Sequence, residues 1–277
     1  GDVYKRQAFL RKTLHRKERH HEEDRDEEVT EKKRRRRLLL SGAAVTLEHP
    51  GEEKTHYRRE QDFWDEKGRE DYQSLSLFDR QRIGKWIDWK GSGRVLDIGG
   101  GSGMISRILM TEPETECVCI DISLPMLKHS PVPSVQADAL RLPFKDSCFD
   151  LIMAAAFFHH LPGLEPQLLR ECHRVLRPGG RLIGYDPNGH CLQNRIFMTK
   201  NPLRLSVFSP DELPVIPENL CKQSHTACFT RFEHFVFSFR NQKITPFEAI
   251  QRFVLSPIAI GPLRRFLERW IFWQAWK

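Results

Sequence analysis

The feature that most constrains this chain is a glycine-rich stretch at residues 95–103, Val-Leu-Asp-Ile-Gly-Gly-Gly-Ser-Gly. Its apolar first half is typical of a buried strand, and residues 104–110 have the apolar spacing of a helix. Glycine is favoured between the two because a tight turn needs left-handed dihedrals and a ligand can approach where no Cβ intervenes. The following helix directs free N–H groups and its positive dipole end at the turn. The stretch predicts a strand, turn and helix at a nucleotide-like ligand. Taken alone, it also fits a glycine turn without a ligand.

The spacing of the glycines distinguishes two kinds of ligand. A dinucleotide-binding loop has the pattern G-x-G-x-x-G. Counted from Gly99, the third glycine position holds Met104, and counted from Gly101 it holds Ser106. A nicotinamide-dependent enzyme is therefore disfavoured. The loop instead has the pattern D-x-G-x-G-x-G, from Asp97 to Gly103.

This second pattern resembles motif I of the class I S-adenosylmethionine (SAM)-dependent methyltransferases. SAM has no phosphate, so its loop needs close approach more than an anion site. Its ammonium group can be held by an acid at a strand end, directly or through water. Gly100 makes the loop richer in glycine than the motif requires. The resemblance implies that SAM is the cofactor and that it is bound here by Asp97, Gly99, Gly100, Gly101 and Gly103.

The second and third predicted strands carry further cofactor residues in the same resemblance. Asp121 ends an apolar run about 20 residues beyond the loop, where an acid can accept hydrogen bonds from both ribose hydroxyls. A lone acid at a strand end otherwise caps a helix. The resemblance implies that Ile122 packs on the adenine. Residues 136–144 resemble the adenine-edge motif, in which Asp138 accepts from the exocyclic amine and the N–H of Ala139 donates to the ring.

The fourth and fifth predicted strands complete the matched region, residues 93–186. Residues 149–156 are apolar nearly throughout, as in a strand covered on both faces, and Ala154 in this strand is assigned to the cofactor site. His160 belongs to a segment that resembles the family's HHL turn, where a histidine faces the cofactor's methyl group or caps a helix. His160 and Asp186, both at strand ends facing the cofactor, are the candidate catalytic bases. A base is needed only if the acceptor is not already deprotonated.

The resemblance also implies the fold class. It is an α/β fold with a doubly wound, mostly parallel seven-stranded sheet of the Rossmann-like methyltransferase type, a reversed last strand and a helical insert before it; periodicity alone indicates only alternating strands and helices. Before the first strand, residues 55–72 predict a charged helical stretch and residues 75–89 an amphipathic helix. The resemblance implies that such helices partly cover the cofactor. A turn at 177–180 should precede the fifth strand.

Beyond the matched region the predicted elements rest on local patterns. We expect a long connection at residues 187–208 and then a helix opened by a capping box at 209–212. An aromatic sixth strand at 229–239 and a second capped helix at 245–255 should follow. The chain should close with a strand at 270–276. The last of these could also continue a helix. Residues 241–268, together with 187–208, are expected to form a lid over the acceptor pocket.

The first 54 residues are expected to be a charged, disordered segment outside the methyltransferase domain, which would span 55–277. Residues 11–37 are mostly charged and end in six basic residues at 32–37. The formal net charge of +7 therefore says little about the folded part. The basic run is compatible with a nuclear signal or with contact to nucleic acid or an anionic membrane. We favour a solvated tail or a frayed helix.

The cysteines indicate a reducing compartment, and we expect a cytoplasmic protein. The chain has seven cysteines without C-x-x-C pairs or His/Cys ligand clusters, so no metal site is evident. No apolar run approaches the roughly 20 residues that a membrane helix requires. The oligomeric state is left open.

These observations together predict methyl transfer from SAM to an oxygen, nitrogen or carbon atom of a small molecule. The sulfonium methyl group is already activated, so the protein mainly supplies alignment and exclusion of water. The motifs resemble the ubiquinone/menaquinone-type and other small-molecule branches and do not specify the acceptor. The aromatic C-terminal third favours an apolar or ring-containing acceptor. The alternatives are an RNA or protein methyltransferase and a non-catalytic SAM-binding interaction module.

Overall fold

The centre of the fold is a seven-stranded sheet, seen in a computed structural model that describes residues 52–68, 77–111, 114–200, 212–238 and 268–277. In chain order the strands are β1 (Gly93–Ile98), β2 (Thr115–Asp121), β3 (Ser134–Gln136), β4 (Phe149–Ala155), β5 (Leu176–Pro187), β6 (Arg231–Phe237) and β7 (Trp270–Trp276). Across the sheet their order is β3-β2-β1-β4-β5-β7-β6. The first five strands pair in parallel, and β7 runs antiparallel to both β5 and β6. This topology confirms the predicted α/β fold with a reversed last strand.

Helices cover both faces of the sheet. In chain order they are α1 (Glu52–Gly68), α2 (Leu77–Ile87), α3 (Met104–Leu109), α4 (Leu124–Leu127), a 3₁₀ turn (Phe158–His160), α5 (Glu165–Val175), α6 (Leu192–Lys200) and α7 (Pro217–Thr226). None of these described helices is both long enough and apolar enough to cross a membrane. The helix predicted at residues 75–89 corresponds to α2.

Alternate residues of the central strands enter two separate apolar clusters. Val95 and Leu151 pack with residues of α2 and α3 in one cluster. Leu96 and Ile152 pack with residues of α5 and α7 in the other. Because successive strand residues point to opposite faces, these two clusters are the two sides of the sheet. The strands are buried on both faces, which explains why they appear in the sequence as continuous apolar runs.

Two helices that the sequence did not predict follow β5. α6 lies inside the segment expected to be a connection, residues 187–208. α7 begins at Pro217, beyond the capping box at 209–212 that was expected to open a helix. Instead, residues 212–216 are not helical and Pro217 occupies the first turn of α7. Proline fits there because its missing N–H would have no partner within the helix.

The fifth strand begins before its predicted start. It starts at Leu176, directly after α5, and the pairing with β4 then shifts register. Phe149 pairs with Leu176 but Leu151 pairs with Arg181, so residues 177–180 form an irregularity within the strand. The proline and two glycines of the predicted turn are therefore accommodated as a bulge.

Several expectations concern residues outside the described ranges. They are the charged segment predicted at 1–54, of which only residues 52–54, at the start of α1, are described, the helix predicted at 245–255 and most of the lid expected at 241–268. The domain boundary near residue 55 remains a prediction. All described residues belong to a unit that begins at Val45 and ends at Lys277.

Candidate active site

The loop between β1 and α3 has the left-handed backbone that its glycines predict. The φ angle is 61° at Gly99, 53° at Gly101 and 73° at Gly103, values that other residues rarely adopt. A Cβ on Gly99 would lie 2.1 Å from the ring of Phe157. A Cβ on Gly101 would lie 2.7 Å from Cε of Met126. The loop therefore depends on glycine both for its conformation and for space.

A cavity lies at the carboxyl ends of the parallel strands, above this loop. Its other walls come from α1, from the turn after β4 and from Tyr185. This is where a doubly wound sheet binds its ligands. Seven of the residues that the sequence assigned to the site line the cavity: Asp97, Gly99, Gly100, Gly101, Asp121, Ile122 and His160. The other five, which do not line it, are Gly103, Asp138, Ala139, Ala154 and Asp186.

Asp97 is a fully buried acid at the end of β1. Its Oδ2 accepts hydrogen bonds from the N–H and the hydroxyl of Ser106, at 3.1 and 2.6 Å. Its Oδ1 is buried and has no hydrogen-bond partner among the described residues. Burial raises the pKa of Asp97 to about 6, although the bonds from Ser106 oppose this shift. Since Asp97 lines the cavity, it offers an acceptor oxygen suited to a cationic group.

Asp121 joins the glycine loop to the segment after β2. Its Oδ2 accepts from the N–H of Gly101 at 3.0 Å, and its Oδ1 accepts from the N–H of Ser123 at 2.8 Å. Burial raises the pKa of Asp121 to about 6, against the effect of these two bonds. Ser123 is itself the N-cap of α4. Asp121 thus has both a structural role at the start of α4 and a place in the cavity wall.

The predicted cofactor residues outside the lining are packed into the protein. A Cβ on Gly103 would lie 2.4 Å from Cδ of Pro131, so this glycine permits close packing. Asp138 is buried, and its Oδ1 accepts from the N–H of Leu140 at 2.8 Å. Ala139 and Ala154 belong to an apolar core cluster. Their assignment to the cofactor remains a prediction.

His160 reaches the cavity beside two buried carboxylates. Its Nδ1 lies 3.2 Å from Oε2 of Glu60 on α1 and 3.3 Å from Oε1 of Glu212. Its ring packs edge-on against Trp64, with 5.4 Å between the ring centroids. Burial lowers the pKa of His160, but the bond to Glu60 and the charge of Glu212 outweigh burial and raise it overall.

Asp186 contacts the neighbouring histidine, His159, and does not line the cavity. Its Oδ1 accepts from the backbone N–H of His159 at 3.2 Å and lies 3.0 Å from Nδ1 of that ring. Its Oδ2 accepts from Nε1–H of Trp273 at 2.9 Å. Burial raises the pKa of Asp186 to about 7. This geometry gives Asp186 direct contact with His159 rather than with a ligand in the cavity.

Five residues at or beside the site were not predicted from the sequence: Glu60, Trp64, His159, Glu212 and Trp273. Glu60 and Trp64 lie on a charged helix far from the motifs, and Glu212 was interpreted as part of a capping box. His159 is adjacent to the predicted residue His160, so the pair of histidines was the only local pattern that pointed to it. The other four reach the site through tertiary packing, which no local pattern encodes.

The fold and the site together define a class of protein. A sheet of this order with a reversed last strand, a glycine loop after β1 and an acid at the end of β2 are the features of a class I SAM-dependent methyltransferase. The sequence of residues 96–184 matches a family model described as "Methyltransferase domain". These residues therefore form the core of a class I SAM-dependent methyltransferase domain, as predicted.

Known relatives share this domain. A demethylmenaquinone methyltransferase of Corynebacterium urealyticum is 37% identical over 106 residues, which cover 37% of this chain and 45% of the relative. A malonyl-[acyl-carrier protein] O-methyltransferase of Methylococcus capsulatus is 40% identical over 98 residues, which cover 32% of this chain and 35% of the relative. The chain thus matches less than half the length of these curated relatives.

The fold also matches solved structures. A SAM-dependent methyltransferase from Archaeoglobus fulgidus superposes with a TM-score of 0.57 at 22% identity, covering 72% of this chain and 93% of that one. At this identity the match concerns the fold alone.

Proposed function

We propose that the protein transfers the methyl group of SAM to an oxygen, nitrogen or carbon atom of a small, apolar or ring-containing molecule. The observation that carries the proposal is the buried Oδ1 of Asp97, which has no partner among the described residues and belongs to a residue of the cavity wall. A buried acceptor of this kind calls for a donor supplied by a ligand. The ammonium group of SAM is such a donor.

The other cofactor contacts follow from the positions of the residues. Asp121 would accept from the ribose hydroxyls, and Ile122 beside it would pack on the adenine. Gly99, Gly100 and Gly101 line the cavity without a side chain, which leaves that space for the cofactor. Asp138, Ala139 and Ala154 are proposed at the adenine side, although they do not line the cavity. When bound, SAM supplies an activated methyl group.

The acceptor side of the cavity supports an apolar or ring-containing acceptor. Trp64, Phe157, Leu161 and Tyr185 all contribute to its wall. Such side chains bind flat apolar groups and exclude water, which favours an aligned transfer in a dry site. The name of the Corynebacterium urealyticum relative refers to a menaquinone precursor, which is an acceptor of this kind.

His160 and Asp186 have different proposed roles. His160 lines the cavity, so it is the candidate that contacts the acceptor and accepts a proton where the acceptor needs to lose one. Asp186 contacts His159 and Trp273 instead. We propose that it positions the histidine turn and acts on the acceptor only through it.

We also propose a cytoplasmic location and a small-molecule partner. None of the seven cysteines, all of which lie within the described ranges, forms a disulfide, as expected in a reducing compartment. The basic run at 32–37, on which the RNA, protein and membrane alternatives rest, lies outside the described residues.

The test measures binding and transfer separately. Calorimetry with SAM and S-adenosylhomocysteine should show one cofactor site. Transfer of labelled methyl groups should then be detected with a panel of phenols, quinols, amines and fatty acids, with heat-denatured protein as the control. A folded protein that binds neither SAM nor S-adenosylhomocysteine would contradict the proposal. Cofactor binding without transfer would favour the non-catalytic alternative.

A further inference from the structure

Five buried polar residues meet beside the cavity: Glu60, His159, His160, Asp186 and Glu212. We call them the His–carboxylate cluster. They come from α1, the turn after β4, the end of β5 and the segment before α7. Burying several ionisable groups together is costly unless they are paired or bind a cation. The cluster therefore has the composition of a cation site.

The spacing of the ligand atoms fits one small metal ion. One ligand atom each from His159, His160 and Glu212 lies within 4.8 Å of the others. Nδ1 of His160 lies 3.3 Å from Oε1 of Glu212, and Nε2 of His159 lies 3.9 Å from its Oε2. Donor atoms about 2.1 Å from a tetrahedral Zn²⁺ lie about 3.4 Å from one another. The two separations from Glu212 are close to that value, and the ligand atoms of the two histidines lie within 4.8 Å of each other.

The surroundings of His159 provide a second, independent observation. Its Nδ1 lies 3.0 Å from Asp186, which is held in turn by Nε1–H of Trp273. The tautomer that donates Nδ1–H to Asp186 leaves the lone pair of Nε2 on the side of Glu212. Histidines that bind metals almost always donate their other ring N–H to such a carboxylate. The protein thus fixes His159 in the orientation of a metal ligand.

We propose that the His–carboxylate cluster binds one divalent transition-metal ion through Nε2 of His159, Nδ1 of His160 and the carboxylate of Glu212. Glu60, whose Oε2 lies 3.2 Å from Nδ1 of His160, lies next to these three ligands. Two imidazoles with carboxylates suit Zn²⁺ and similar ions better than Mg²⁺ or Ca²⁺, which prefer oxygen ligands alone. The sequence shows no ligand motif because these residues come from separate segments.

The position of the site connects the ion with the cavity. Glu60 and His160 both line the cavity, so a bound ion lies in its wall and can hold an oxygen atom of an acceptor. In the metal-bound form His160 is a ligand rather than a base.

The test uses the full chain without a histidine tag. After treatment with a chelator and confirmation of the fold by circular dichroism, the protein is titrated with Co²⁺ and Zn²⁺. We expect one equivalent of Co²⁺ with the visible absorption of a low-coordinate site, displacement by Zn²⁺, and no displacement by Mg²⁺. This readout does not depend on SAM or on methyl transfer, so it can fail while the proposed function stands.

Two variants locate the site, and a third controls for surface binding. Glu212→Gln and His159→Gln should each weaken Co²⁺ binding by about 100-fold or more, since loss of even an outer partner costs 10–100-fold. His190→Gln removes a histidine that pairs with Glu218 outside the cluster, at 2.6 Å, and should bind Co²⁺ as the parent does. A folded parent protein that binds neither Co²⁺ nor Zn²⁺ overturns the proposal. It is also overturned if Glu212→Gln and His159→Gln both bind Co²⁺ as tightly as the parent does. Either result would identify the cluster as a protonated hydrogen-bond network.

Discussion

The indole N–H of Trp273, on the last strand, donates a 2.9 Å hydrogen bond to Oδ2 of Asp186, at the end of β5. The reversed strand β7 thus holds the carboxylate that orients His159. A Cβ on Gly184 would lie 2.4 Å from the indole of Trp273, so this glycine makes space for the ring. The side chain of Trp273 therefore links the last strand of the sheet to the candidate site.

Trp273→Phe should destabilise the protein by about 1–3 kcal/mol, the range for a buried polar group that loses its hydrogen-bond partner. The phenyl ring keeps much of the packing against Phe158, but Asp186 loses a buried donor. Urea unfolding measures the change. Trp276→Phe, at a partly exposed position of the same strand, is the matched control. Equal losses in the two variants would show that the hydrogen bond to Asp186 contributes nothing.

Features encoded by neighbouring residues could be predicted from the sequence. The glycines of the loop, the apolar strands and the acid at the end of β2 are all local patterns, and the elements they predict are present. Gly100 illustrates the limit. It appeared superfluous in the motif, yet a Cβ there would lie 2.6 Å from Sγ of Cys119 and 2.7 Å from Cγ of Asp97. Its necessity depends on how β1 and β2 pair.

Contacts between distant segments could not be predicted. Glu60 and Glu212 meet at His160 although they lie 152 positions apart in the sequence (212 minus 60). Neither lies in a recognisable motif. The start of α7 at Pro217 could not be predicted either, because proline both ends helices and begins them, and the position of the neighbouring elements decides between the two. The acceptor side of the site depends on such contacts more than the cofactor side does.

Asp97→Asn should weaken SAM binding by about 10–100-fold, because a neutral amide replaces the ionised partner of the ammonium group. The amide oxygen can still accept from Ser106, so the fold should persist. Calorimetry measures the affinity. Asp146→Asn, which changes an exposed acid bound to Arg174, is the control. Unchanged affinity in Asp97→Asn would remove the ammonium contact from the proposal.

The affinity of the parent protein for SAM should rise with pH through about 6. Burial raises the pKa values of Asp97 and Asp121 to about 6, so both carboxyls are largely protonated below that pH. A cationic ligand binds the ionised form, and at low pH binding must first displace the protons. Titrations at pH values on either side of 6 test this. The dependence should become shallower in Asp97→Asn, and a pH-independent affinity would contradict it.

Asp121→Ala should weaken SAM binding by about 2–4 kcal/mol, the scale for two hydrogen bonds to a charged group. The variant also removes the acceptor for the N–H groups of Gly101 and Ser123. Thermal unfolding is therefore measured beside affinity, to separate a loosened loop from a lost ligand contact. Binding within twofold of the parent would leave Asp121 with its structural role alone.

His160→Gln should lower the rate of methyl transfer and leave SAM affinity close to that of the parent. His160 lies on the cavity wall beside Glu60 and Glu212, whereas the proposed ammonium and ribose contacts belong to Asp97 and Asp121. Turnover and calorimetric affinity are measured on the same preparation. Equal losses in both quantities would instead assign His160 to cofactor binding.

Comparing Gly101→Ala with Gly179→Ala separates the effect of backbone strain on stability from the effect of a changed cavity wall on SAM binding. Both Gly101 and Gly179 have left-handed φ angles, 53° and 79°, so alanine at either should cost about 1–2 kcal/mol of stability. The new Cβ at Gly101 would lie 2.7 Å from Cε of Met126, another residue of the cavity wall, whereas a Cβ at Gly179 meets nothing within 4 Å. Gly101→Ala should therefore lose more stability than Gly179→Ala, because overpacking against Met126 adds about 1–3 kcal/mol to the cost; urea unfolding measures this difference. Only Gly101→Ala should lose SAM affinity, by roughly tenfold or more, or about 1.4 kcal/mol, because its Cβ forces Met126 to move in the cavity wall. If Gly179→Ala weakens SAM binding equally, general destabilisation is the cause and the loop assignment loses its support.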